Sequence, residues 1–323
     1  MVSVIMLTYN RKEYMMQMIQ DILNQSYKNF EFIIIDNNSN DGSSFLIDQY
    51  SKKDNRIKAM HLKSTVSIGK GRNVGLFMAS GEYVAYIDDD DRVESDYLEF
   101  LHNLVKEVNA DIAMCGCDEF KGEIVTPQCV YNEKIELTGE EAVLLLLERT
   151  KIRAGMPTKL IRKELLLKYP FVENCKSEDA HTAYKYFANA RKVIVHGIPN
   201  YHIRRHEKNN SSFTSDFSKL TQVLLKEYLG LYRERTNYLI DKFPGHEEYF
   251  KYTEFSFKLS MCDKIIENSL SDCGKELERM LMDLRENKDE LIKSMYLKEE
   301  EREKLKKLIV IVESGRLVKE DNN

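Results

Sequence analysis

Four carboxylates stand in a row at Asp88-Asp89-Asp90-Asp91, directly after the apolar run Tyr83-Val84-Ala85-Tyr86-Ile87. Such an unbroken apolar run reads as a strand buried on both faces of a parallel sheet. In sheets of that kind, ligands bind just beyond the carboxyl ends of the strands. Carboxylates crowded there repel one another, so a cation is expected among them. Hard oxygen ligands suit Mg²⁺ or Mn²⁺, which in turn bridge phosphate oxygens. The plain alternative is an acidic loop facing water. Three more polar clusters occupy comparable positions: Thr8-Tyr9-Asn10 after the first apolar run, Asp36 to Asp41 after the second, and Gly69-Lys70-Gly71-Arg72-Asn73. A ligand lying across these ends would meet an aromatic face, acceptors for a base or ribose, a basic group and a metal. A nucleoside diphosphate asks for that combination.

The elements that would position these clusters can be read from hydrophobic spacing. Val2 to Leu7 predict a buried strand, with Asn10 as N-cap of a helix carrying Glu13 and then Met15, Met18, Ile19, Ile22 and Leu23. Phe30 to Ile35 predict a second strand, Leu46, Ile47 and Tyr50 a short helix, and Ile57 to Leu62 a third strand. A helix over 70–79 stopped by Gly81, a helix opened by Asp96 with Glu99, and a strand over Asp111 to Gly116 complete the series. This β-α-β-α order predicts an α/β domain with a mostly parallel sheet. Beyond residue 117, short strand-like pieces (117–131) precede a helix begun by Thr138 with Glu141, a capping-box pairing. From about residue 217 the chain reads as helical, with a break at Pro244-Gly245 and a late apolar run, Leu308 to Val312.

Bulk properties narrow the classes. At 323 residues and 42% hydrophobic, the chain can build a full core. Its net charge of −5 is spread without a basic block, which argues against nucleic acid as a partner. None of the six cysteines forms a Cys-x-x-Cys pair, so reduced thiols in a cytosolic protein are expected. The N-terminus enters a strand-like run with no basic region, so no signal peptide is expected, and no apolar stretch approaches the roughly 18 residues needed to span a bilayer. Gly69 and Gly71 invite comparison with a dinucleotide-binding loop, but Gly75 comes one place too late for G-x-G-x-x-G.

Taken in order, Val2-Ser3-Val4-Ile5-Met6-Leu7-Thr8-Tyr9-Asn10, Ile35-Asp36-Asn37-Asn38-Ser39-Asn40-Asp41-Gly42, Gly71-Arg72-Asn73-Val74-Gly75, and Gly81-Glu82-Tyr83 running into Asp88 to Asp91 resemble family 2 glycosyltransferases. The similarity continues through Ser177-Glu178-Asp179 and Tyr201-His202-Ile203-Arg204-Arg205-His206, so it covers residues 1 to about 215. It implies a GT-A fold over 1–215, with a nucleotide-binding part (1–116) and an acceptor-side part (117–215); the spacing beyond it predicts an all-helical extension over 216–323. It also implies inverting, metal-dependent transfer of a sugar from a nucleoside diphosphate donor, in cell-surface polysaccharide or glycoconjugate synthesis. The acceptor, a carbohydrate, lipid-linked or protein hydroxyl, is not spelled out.

Carried over residue by residue, the resemblance makes Asp90 the direct ligand of Mn²⁺ or Mg²⁺, with His206 or alternatively His202 as a further contact. Asp88 and Asp89 fall on the donor side, Asp89 reaching the ribose or a metal-bound water, and Asp91 stands behind them. Thr8 and Tyr9 match the base-contacting segment, and Asp36 the first acid of its turn. The following position, often an Asp, is Asn37, which can accept one hydrogen bond but carries no charge. A UDP-sugar is the first expectation, and a thymidine or guanosine donor stays open. Arg72 resembles the basic residue near the diphosphate, where a guanidinium binds phosphate bidentately. Asp179 matches the carboxylate that takes the acceptor proton; the alternative is a helix N-terminal acid favoured by the dipole.

Competing readings are a catalytically silent nucleotide-sugar-binding scaffold and a sugar-phosphate nucleotidyltransferase. The second wants a glycine-rich basic loop after strand one, where this chain has Thr8-Tyr9-Asn10-Arg11-Lys12. The helical tail is expected to dock on its own domain or to offer a surface for self-association or peripheral contact at the inner face of a membrane.

Overall fold

The computed structural model describes residues 1–207, 209 and 217–313. The chain separates into two compact units, Met1–His206 and Glu207–Asn323. The boundary expected at 215/216 lies outside the described residues.

The first unit is built on one mixed sheet. Four parallel strands form one half: β1 (Val2–Thr8), β2 (Phe30–Asp36), β3 (Ile57–His61) and β4 (Tyr83–Asp88), in the order β3-β2-β1-β4. Register decides where their ends fall. Thr8 lies opposite Asp36 and Leu7 opposite Asp88, so three polar strand ends come level at one edge of the sheet. The sheet continues through β5 (Arg92–Val93), β6 (Ile112–Lys121), β7 (Ile124–Pro127), β8 (Lys134–Leu137), β9 (Lys159–Arg162) and β10 (Val193–Arg204). β9 runs antiparallel between β4 and β6, while β10 pairs parallel with β6. The strand-like pieces after residue 117 are the end of β6 and β7. β9 is a strand that the spacing does not announce.

Helices α1 (Lys12–Leu23), α2 (Ser43–Lys53), α3 (Ile68–Met78), α4 (Tyr97–Val108), α5 (Gly139–Glu148), α6 (Lys163–Lys168) and α7 (Glu178–Asn189) belong to this unit. α1 buries Met15, Met18, Ile19 and Ile22, the face its spacing predicts. α3 lies close on β1 because two glycines let it: a Cβ on Gly71 would collide with Leu7, and one on Gly75 with Ile5. Those glycines are packing residues. Thr138 and Glu141 form the predicted capping box. Asn10 is not a cap. It adopts a left-handed φ of 51°, its N–H donates to Ser39 Oγ at 3.0 Å, and its Oδ1 accepts from the Asn40 N–H at 2.8 Å. These bonds to the second polar turn replace the local bond that a cap would make.

The second unit comprises α8 (Gln222–Lys242), α9 (Glu247–Glu267), α10 (Gly274–Glu286), α11 (Lys288–Lys293) and α12 (Glu299–Glu313), with a 3₁₀ turn over Pro244–His246 at the predicted break. Leu225, Cys262, Leu281, Leu284 and Leu305 lie in its core. Leu308 and Ile309 join that core, Ile311 and Val312 pack against it half-buried, and Val310 is exposed, so packing within the unit accounts for four of the five late apolar residues. All six cysteines are free thiols. Among the described residues, no helix is long and apolar enough to cross a membrane.

Candidate active site

The four carboxylates after β4 take four different positions. Asp88 is 42% exposed and accepts from Arg72 Nη2 at 3.0 Å. Asp89 is buried and accepts from Arg11 Nη1 at 2.9 Å through Oδ1. Its Oδ2 and the buried Thr8 Oγ1 make no well-formed hydrogen bond, although the Thr8 hydroxyl is near enough to help hold the acid down. Asp90 Oδ2 lies 2.8 Å from Arg11 Nη1 and 2.8 Å from His206 Nε2. Asp91 turns inward, accepting from the Tyr201 hydroxyl and the Arg204 N–H, each at 2.8 Å. Tyr201 in turn accepts from the Asp88 N–H at 3.1 Å, so Asp91 fixes the strand end from behind.

Burial and mutual repulsion set the charge state of this group. Burial pushes Asp89 up to about 7, with Arg11 pulling against it and Asp90 adding to the rise. Asp91 is raised well above the usual carboxylate range by burial and by its neighbours Asp88 and Asp90. Acids held in this condition call for a cation, and Arg11 lies between two of them. The His206 ring is held by stacking on Tyr14, with centroids 4.9 Å apart. Arg204 lies over Tyr14 and Phe120 and donates through Nε to the Asp90 carbonyl at 2.8 Å. His202 faces elsewhere, between Asp118 and Glu94. Of the two histidines considered, His206 is the one on Asp90.

The residues present fit a divalent cation. Asp90 and His206 converge, a buried Asp89 oxygen makes no well-formed hydrogen bond, and the cluster already attracts one positive charge in Arg11. The carboxylate oxygens suit Mn²⁺ or Mg²⁺, and the imidazole is more in keeping with Mn²⁺ of the two.

A second group is joined to this one through Arg72. Its guanidinium is buried above Tyr86 and Phe171 and bonds three carboxylates. Nη2 reaches Asp88, while Nη1 donates to Glu178 at 3.0 Å and to Asp179 at 2.5 Å. Asp179 Oδ2 also accepts from the Met156 N–H at 3.1 Å. Burial and the adjacent Asp179 push Glu178 up to about 7 against the pull of Arg72. Arg72, expected to contact phosphate, is in the structure the cation that links the end of β4 to the first turn of α7.

The remaining predicted residues shape the wall. Tyr9 is 47% exposed. Asp36 is buried and accepts from the Ser39 N–H at 3.1 Å and Ser44 Oγ at 2.5 Å, with His61 Nδ1 3.1 Å away. Asn37 forms a two-point pair with the Val66 backbone: Nδ2 donates to the carbonyl at 2.9 Å and Oδ1 accepts from the N–H at 2.8 Å. Both side chains are thus bonded within the protein, bracing the turn and the 62–67 loop. Arg11, Tyr14 and Tyr201 were not singled out as site residues from the sequence. Each lies within or beside a quoted motif, and only the fold shows which acid it serves.

Comparison with known proteins bears on family and fold. The model of "Glycosyl transferase family 2" matches residues 3–169, more than half the chain. "Glycosyltransferase GlyG" of Streptococcus pneumoniae is 30% identical over 60% of this chain and 67% of its own length. "Cholesterol galactosyltransferase" of Borreliella burgdorferi is 34% identical over 66% of this chain and 62% of its own. The structure resembles Staphylococcus aureus TarS 1-349 in complex with UDP-GlcNAc, with a TM-score of 0.69 at 19% identity, covering 97% of this chain and 92% of that one. It also resembles the mannosyltransferase PcManGT of Pyrobaculum calidifontis in complex with GDP-Man and Mn²⁺, with a TM-score of 0.57 at 14% identity over 99% and 88% of the two chains. At such identities the structural likeness speaks for a shared GT-A fold. With the family model and the sequence relatives in agreement, this chain belongs to glycosyl transferase family 2.

Proposed function

We propose that this chain transfers a sugar, with inversion and with the help of Mn²⁺ or Mg²⁺, from a nucleoside diphosphate donor to an acceptor hydroxyl in the synthesis of a cell-surface polysaccharide or glycoconjugate. The observation that carries the reading is Arg72, bonded at once to Asp88 at the donor strand end and to Asp179 at the start of α7. That link keeps a donor-side carboxylate and a candidate base close enough to serve one bound substrate. Asp179 takes the proton of the acceptor hydroxyl as its oxygen attacks the anomeric carbon. The bond from that carbon to the diphosphate oxygen breaks, and the nucleoside diphosphate leaves with the electron pair. Asp90 and His206, with Asp89 beside them, would hold the metal, which when bound offsets charge on the diphosphate. Tyr9, exposed beside the level strand ends, is the face for the base, and Thr8 offers its hydroxyl.

A UDP-sugar is the donor to try first, in keeping with UDP-GlcNAc in the TarS complex. The test is transfer with Mn²⁺, followed by NMR of the product. Its anomeric coupling should show the configuration opposite to the donor's; retention would refute a single displacement. Asp179→Asn should stop transfer while leaving donor binding near wild type, because a base acts on the acceptor. Near-normal transfer by that variant would move the role to another group.

A further inference from the structure

We infer that Lys159 is a positioning residue for Asp179, acting through the Gly155–Met156 peptide. This rests on the proposed role of Asp179 as base. Lys159 opens β9 opposite Met114 of β6 and is 1% exposed, an unusual place for a lysine. Its Nζ donates to the Gly155 carbonyl, bending the chain back over four residues. The N–H that belongs to the same peptide unit as this carbonyl is that of Met156, and it donates to Asp179 Oδ2 at 3.1 Å. One peptide is therefore gripped at its oxygen by Lys159 and presents its nitrogen to the carboxylate. With Arg72 on Oδ1, both oxygens of Asp179 have fixed donors.

The segment bears a second mark of constraint. Thr158, directly before Lys159, has φ +88°, a region that a β-branched residue avoids. Such a conformation is strained and persists only when its surroundings over-determine it. Here the Thr158 carbonyl accepts from the Cys115 N–H of β6 at 3.0 Å, on one side of the strain, and the Lys159 bond closes the other. Burial lowers Lys159 to about 8, and Asp179 is the foremost charge opposing that fall, ahead of the thiols of Cys117, Cys115 and Cys129. A buried cation is costly unless it is matched. Its direct partner is the Gly155 carbonyl, with Asp179 the foremost opposing charge nearby.

The test is Lys159→Met in the full chain, read first by NMR without substrate. The Met156 amide should lose protection from hydrogen exchange by about tenfold or more while amides of β1 and β4 keep theirs. The side-chain ¹³C signal of Asp179, identified by its loss in Asp179→Asn, should move as its partner is released. Turnover of UDP-GlcNAc with Mn²⁺ should then fall in kcat by about tenfold or more at nearly constant KM, since a base contributes about 10²–10⁴-fold. Unchanged Met156 and Asp179 signals would overturn the inference whatever the turnover. A uniform loss of protection across the sheet would also overturn it, by making Lys159 a general stability residue. Where Met prevents folding, Lys159→Gln keeps an N–H donor one bond shorter, and the same local loss is expected. Failure of the base assignment would look different: Asp179→Asn would remain active while the Lys159 effect on Met156 persisted.

Discussion

Replacing Arg72 by Met removes one buried cation and strands three carboxylates. The Arg72 side chain is 6% exposed and Glu178 7%, whereas Asp88 has water at hand. Removing one partner of a buried pair costs about 3–5 kcal/mol because the other charge stays uncompensated. For a unit of roughly 200 residues, each kcal/mol corresponds to about 2–4 °C, so the midpoint at pH 8 should fall by about 6–20 °C. The pH dependence is the sharper signature. Glu178 stands at about 7 in the fold against an ordinary value of 4.5, so folding takes up a proton. A raised acid contributes least at high pH and recovers as pH falls through its folded value. Without the guanidinium that value rises further, so the deficit of Arg72→Met should be largest at pH 8 and shrink towards pH 5.5. Urea unfolding followed by circular dichroism at pH 5.5, 7 and 8 measures it. A loss below about 1 kcal/mol, or one equal at all three pH values, would refute the view that Arg72 neutralises Asp88, Glu178 and Asp179.

Three other outcomes are expected. Asp90→Asn should keep the fold and lose metal-stimulated turnover, as should the native chain in excess EDTA; the electron paramagnetic resonance signal of free Mn²⁺ reports the accompanying loss of binding. Arg11→Met should tighten Mn²⁺, because a metal no longer has to displace charge-assisted bonds worth about 1.5–3 kcal/mol, or about 10–150-fold in Kd. Titrated at pH 8.5, above the value of about 7 for Asp89, an unchanged or weaker affinity would count against that competition. Burial raises Glu31, but the bonds from Lys58, Ser3 and Ser80 outweigh it and hold the acid at about 2. Its contribution is present above 4.5 and lost as pH falls towards 2, so Glu31→Gln should flatten acid unfolding by about 2–3 kcal/mol, discounted for the half-exposed Lys58. An unaltered acid limb would contradict that account.

The parallel half of the sheet was legible because each strand is a continuous apolar run ending in a polar cluster, and parallel pairing then makes the ends level. The family motifs lie at those ends. β9 escaped notice because Lys159 and Arg162 bracket only Leu160 and Ile161, so no run or alternation marks it. Asn10 misled for a related reason: its cap-like position is local, but its partners Ser39 and Asn40 come from the neighbouring strand's turn. Asp36 and Asn37 carry the motif, yet their bonds to His61 and Val66 depend on the third strand and the loop after it. Pairings of Arg11 with Asp89 and Asp90, or of Arg72 with Asp179, span long stretches of sequence. Spacing rules describe what one element needs from its own residues, and these contacts are made between elements.

The antiparallel insertion of β9 bears on how far this enzyme's halves can be recombined. Val84 of β4 pairs with Ile161, which on its other side pairs with Ile112 of β6. A chimera that grafts a relative's segment following residue 116 onto residues 1–116 would therefore import a central strand together with the new loops. The graft would need to match Tyr83, Val84 and Ala85 along one edge of β9 and the Ile112–Met114 stretch along the other. Exchanges confined to residues 122–154 leave both that seam and the Gly155–Met156 peptide untouched, so they are the more workable way to test what this segment recognises.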